Sequence, residues 1–214
     1  MRSPAYELGY LRAGLAIFKT FLSSKQLFFP LNTPPPLGEP VYPRLTLGGV
    51  LLSMQSLRGL DLGASQAAEL DSQERALEDW RTARRVAWER KAQRELASRL
   101  RQWQLYLGEL RQEPDRHASF YASEVRIRVM IELLKKEAPT PGDVSAGVPA
   151  GVPAGVPTGV PAGDLLSLLD RMDEILRMFF QRGAFIWEPE LESTFPPDPY
   201  WFLWGSPQIE TGYG

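Results

Sequence analysis

The sequence predicts an all-α fold: a bundle of about four main helices with one long helix, extended Pro-rich and aromatic segments packed across it, and a disordered repeat insert. Three observations carry this. Apolar residues recur every three or four positions in separate stretches, as one face of a helix requires. Residues Ala64 to Gln112 form a run of 49 positions with no proline and a single glycine, Gly108. Prolines are instead concentrated in short connectors, six of them within the sixteen residues FFPLNTPPPLGEPVYP.

Residues 5–24 place Leu8, Leu11, Leu15, Phe18 and Leu22 on one stripe and predict the first helix. The proline-rich connector that follows lacks amide donors and disfavours helix at each residue before a proline, so it runs extended across the body. Residues 45–57, LTLGGVLLSMQSL, predict a short apolar helix in which Gly48 and Gly49 allow close backbone packing. In the long helix Trp88, Ala92, Leu96, Leu100, Trp103, Leu107 and Leu110 recur at helical steps. At about 1.5 Å per residue it would reach roughly 73 Å, beyond the roughly 44 Å diameter of a compact chain of this size, so its weakly apolar start, Ala64 to Asp79, is expected to project as an arm. Pro114 ends the helix, and Asp115 is a candidate cap for the next, which runs to about Glu137. Within it Val125, Ile127, Val129 and Ile131 alternate as in a strand, but no turn signal interrupts the segment and the helical reading is preferred. Four copies of a Gly-Val-Pro-Ala-like tetrapeptide, residues 147–162, form the centre of a flexible linker placed at 139–163. A last helix is expected over Asp164–Gln181, and residues 183–214 are read as an irregular, acidic, aromatic tail. Residues 1–214 are taken as one helical domain.

Composition limits the chemistry. With no cysteine, the chain has no disulfide, thiolate nucleophile or Cys-type metal site. His117 is its only histidine, too few for a helix-bundle carboxylate site. No glycine-rich phosphate loop and no serine-nucleophile motif stands in the sequence. No cofactor or metal is expected, and an enzyme would have to work with carboxylates alone. A net charge of −2 offers no overall field toward nucleic acid or anionic lipid. No stretch has the length and apolarity of a membrane span, so no membrane is expected and a cytoplasmic location is the default.

Charge is segregated along the long helix. Residues 64–80 sum to −4 and residues 81–101 to +6. The tail, 183–214, sums to −5 and holds eight of the 23 aromatic residues. Arg84, Arg85 and Trp88 on the basic stretch, and Tyr200, Trp201, Phe202 and Trp204 in the tail, are therefore the candidate interaction surface. The tail is expected to dock on the basic stretch of its own chain through cation–π contacts and ring burial, with docking on another protein as the alternative. The function expected is that of a non-catalytic helical interaction or scaffold protein with a protein partner or self-association. The alternatives are a nucleic-acid accessory protein binding through 81–101, which the docked tail would disfavour, and a carboxylate-based enzyme.

Overall fold

The structure, a computed structural model, describes residues 3–138 and 162–208. Among these the chain is mostly helical, with one small two-stranded sheet. The repeat, up to residue 161, lies outside the described residues.

The first helix is interrupted. α1 runs Pro4–Ala16, with the Ser3 hydroxyl accepting from the Tyr6 amide, and α2 runs Phe18–Ser23. Ile17 leaves helical geometry between them, which turns both Phe18 and Phe21 into the core with no exposure. The Pro-rich connector is closed at its base by a bridge between Phe29 and Leu45, and Tyr42 folds back onto Tyr6 with ring centroids 4.8 Å apart. α3, Leu47–Leu57, begins at Thr46, whose hydroxyl accepts from the Gly49 amide. The close packing expected at Gly48 is present: a Cβ there would lie 2.9 Å from Glu95 Oε1 and 3.2 Å from Leu134 and Met130.

The long helix is two helices. α4 spans Ala64–Ala83 and α5 spans Arg85–Gln112, with Arg84 between them at φ −128° and ψ 34°. The projecting arm is therefore a misreading. α4 lies against α1, where Leu70 and Leu77 are buried and Gln73 donates to the Leu8 carbonyl at 3.1 Å. Arg12 pairs with Glu69 along the same contact, and Arg58, at the end of α3, pairs with Glu74 of α4. Two leucines and a glutamine are a thin apolar face, but burying them costs only one bend, whereas extension would leave them in water.

α5 is the axis of the core, packing on α7 and touching α2, α3 and α8. After the short α6, Pro114–His117, and a 3-10 turn, α7 runs Tyr121–Lys135, so helix replaces the alternating pattern as expected. Asp115 lies inside the first turn of α6 rather than capping it; Glu113 holds the cap position. α8 spans Ala162–Arg177 and stops short of Gln181 because Phe180–Phe185 forms strand β1. β1 pairs antiparallel with β2, Trp204–Pro207, so the tail is not wholly irregular. Gly205 permits the close pairing: its φ is +141°, and a Cβ there would meet Gln181 O.

Between the strands the chain turns repeatedly, with 3-10 turns at Pro189–Thr194 and Trp201–Leu203. Each turn changes the face the next side chain presents. That is how a solid aromatic block is buried without helix or strand periodicity: Phe195, Tyr200, Phe202 and Leu203 are buried, and Trp201 and Trp204 are half-buried. Tyr121 donates to the Phe202 carbonyl at 2.7 Å, Trp187 to the Ala122 carbonyl at 2.8 Å, and Gln55 to the Thr194 carbonyl at 2.7 Å.

Candidate interaction groove

The tail docks within its own chain, but not on the basic stretch. The guanidiniums over its rings are Arg128, 4.3 Å from the Phe202 centroid, Arg177, 4.5 Å from that of Trp201, and Arg126, 5.9 Å from that of Trp187. Arg128 is almost fully buried and holds α8 to α7 by two bonds to Asp173, at 2.9 and 2.7 Å, with Glu132 as a second acceptor at 3.1 Å. The residues singled out from the sequence thus lie in two separate places. Tyr200, Trp201, Phe202 and Trp204 sit by α7 and α8. Arg84 and Arg85 are exposed at the bend, where Arg85 pairs with Glu89, and Trp88 is buried against Phe18 with its N–H on Glu137 at 2.9 Å. An indole so placed has no free face for a nucleotide base.

In the second half of the basic stretch Lys91 and Arg99 point inward, whereas Arg94 and Arg101 are exposed. Lys91 is 2% exposed and donates to the carbonyls of Ser24 and Gln26 at 2.9 and 2.8 Å, with its ammonium 4.4 Å from the Phe21 ring. Burial, reinforced by Arg94, lowers its pKa to about 8. Glu95, fully buried, accepts from the amides of Leu47 and Gly48 at 2.8 and 3.2 Å, so a carboxylate from α5 caps the start of α3. Burial pushes its pKa above the ordinary carboxylate value, against the opposing pull of Arg99 and the Gly48 amide. Arg99 bonds Glu95 and reaches the Thr46 hydroxyl at 3.2 Å.

This arrangement forms one end of a groove. A cavity of about 380 Å³ opens over the start of α3, walled by Arg44, Arg99 and Arg126, with Thr46, Ser53 and Tyr10 contributing hydroxyls. A second cavity, of about 410 Å³, continues along α3 between α7 and the segment Ile186–Leu191, and shares Leu52 and Arg126 with the first. Among the described residues no carboxylate lines the first cavity, and Glu188 lines the second. The Ser53 hydroxyl donates to the buried Glu7 at 2.5 Å, so its proton is committed away from the cavity. The Tyr10 hydroxyl is buried with no hydrogen-bond partner among the described residues, and burial raises its pKa, keeping it a neutral donor.

Chemically the groove offers guanidinium and hydroxyl donors to acceptor-bearing groups. Among the described residues no cluster of His, Asp and Glu could hold a metal ion, and no helix is long and apolar enough to cross a membrane. Sequence reasoning did not find this site. Arg44, Arg99 and Arg126 come from a connector, α5 and α7, and no spacing links them. Tyr10, between Leu8 and Leu11, reads as an ordinary core position. Comparison with models of protein families, with curated proteins and with solved structures returns no match to this chain.

Proposed function

We propose that the protein is a non-catalytic binding protein whose groove receives an acidic segment of a protein partner. The observation that carries this reading is that Arg44, Arg99 and Arg126, from three different parts of the chain, line one cavity. A guanidinium gives a carboxylate two parallel donors, and hydrogen bonds to charged groups outweigh neutral ones. The groove's length, two adjoining cavities, suits an extended segment better than a compact metabolite.

A specific observation also supports polynucleotide binding as a second reading. The tail leaves Arg84 and Arg90 exposed, so the covering expected to disfavour such binding is not in place. One experiment separates the two. Fluorescence anisotropy at about 150 mM salt should detect binding of a labelled Asp/Glu-rich peptide and none of a Lys-rich one. Arg44→Glu together with Arg126→Glu should weaken that binding at least about tenfold. Equal binding of both peptides, or none of either, would sink the proposal. Binding of single-stranded RNA that is lost with Arg84→Glu and Arg90→Glu, but not with the groove variants, would establish the second reading instead.

A further inference from the structure

The bend at Arg84 has no local cause. The sequence around it, RTARRVA, contains neither glycine nor proline, the usual origins of a sharp break in a helix. Apart from the β-branched Thr82 and Val86, the residues of this stretch favour helix. The flanking ladder is intact on both sides, with Arg84 N bonded to the Trp80 carbonyl at 3.0 Å and Trp88 N to the Arg84 carbonyl at 2.9 Å. Nor is the bend pinned by burial, because six consecutive residues, Arg81 to Val86, are exposed. Val86, an apolar side chain next to the bend, stands 62% exposed.

What holds the bend is the contact between the two parts of the chain that it joins. Before it, α4 packs on α1 and α3; after it, α5 packs on α7 and α8. The two parts meet through buried polar groups. Glu95 takes the Leu47 and Gly48 amides, Lys91 takes the Ser24 and Gln26 carbonyls, and Gln55 takes the Thr194 carbonyl. Straightening the helix would swing the parts away from one another and leave each of these groups buried or exposed without its partner. A cover must supply the same amides and carbonyls in the same places, and a second copy of this chain does so.

We infer that two copies exchange their N-terminal parts about Arg84, residues 64–112 becoming one continuous helix in each chain. Every contact between the parts is then remade across the two chains, the bend is relieved, and the two exposed 81–86 segments are brought together. Exchange of an identical element between protomers is a low-cost route to a dimer. The inference is independent of what the groove binds.

The test uses the absence of native cysteine. A Cβ at Gly59 would lie 3.0 Å from the Thr194 side chain, so Gly59→Cys with Thr194→Cys places one thiol on each part. The chain is refolded at low and at high concentration, sized by light scattering, oxidised and run without reductant. The expected result is a dimer favoured by high concentration, with its disulfide between chains. Arg85→Pro, acceptable at the first position of α5 but not inside a continuous helix, should lower dimer formation at least about a hundredfold while leaving the monomer folded. Monomer at every concentration overturns the inference, as does a dimer whose disulfide stays within each chain. If the double-cysteine chain does not fold, the Arg85→Pro comparison on the otherwise unchanged chain decides alone: equal dimerisation, or none in either chain, overturns it.

Discussion

Lys91 and Arg128 show opposite ways of burying a cation. Arg128 is matched by Asp173 and Glu132, so removing it strands two carboxylates in the interior. Arg128→Met is expected to cost about 3–5 kcal/mol in urea unfolding, and adding Asp173→Leu should recover part of that loss. A double variant less stable than the single one would show that the ion pair is not what couples α7 to α8. Lys91 instead faces carbonyls, a hydroxyl and a ring, with a pKa lowered to about 8 from 10.5. Between those values the unfolded chain holds the proton and the folded chain does not, so stability rises with pH across that window. The slope from this group approaches about 1.4 kcal/mol per pH unit. Above pH 10 the buried tyrosines, whose pKa values burial raises, reverse the trend. Unfolding followed from pH 8 to 10 should show the rise in the native chain and its absence in Lys91→Met; parallel profiles would refute the assignment.

Among the elements, α3 depends most on a single close approach. Its start is capped by Glu95 from α5, and Gly48 is the position that lets that carboxylate in. Gly48→Ala forces Glu95, Leu134 or Met130 to move, and should cost about 1–3 kcal/mol although alanine favours helix. Thermal unfolding gives the sign at once, since a stabilised variant would mean that propensity outweighs the clash. The same contact bears on the groove, because Arg99 is held in place by Glu95 and Thr46. The alanine variant should therefore also weaken peptide binding, whereas a change confined to stability would leave binding intact below the melting range.

At the scale of the molecule, the tail is a strap across α3 and α7 and one wall of the groove. Phe202 and Leu203 have no exposure; Phe202 accepts from Tyr121 at its carbonyl and lies under the Arg128 guanidinium. Deleting residues 196–214 should lower the melting temperature by more than about 10 °C or cause aggregation, from the loss of several buried side chains at about 1.5–3 kcal/mol each. A truncated chain with unchanged melting would mean that the tail contributes contacts but no stability, and that its rings are available to a partner.

The amino-acid sequence by itself determined which stretches are helical and where proline and glycine punctuate them. Those properties come from interactions three or four residues apart and from proline and glycine, all of which a single stretch carries. It also required a cover for the aromatic tail, on this chain or another, since so much apolar surface is not left in water. Tertiary structure alone decided which guanidiniums the tail meets, that the helix from Ala64 bends at Arg84, and that Arg44, Arg99 and Arg126 share one cavity. Lys91 and Arg99 read as solvent-facing charges because a basic stretch on a helix usually is one. Their burial depends on carbonyls, a carboxylate and a hydroxyl supplied from tens of residues away. The bend is set in the same way: helix propensity favours continuity at Arg84 by a fraction of a kcal/mol per residue, and the polar and apolar contacts between the two parts outweigh it.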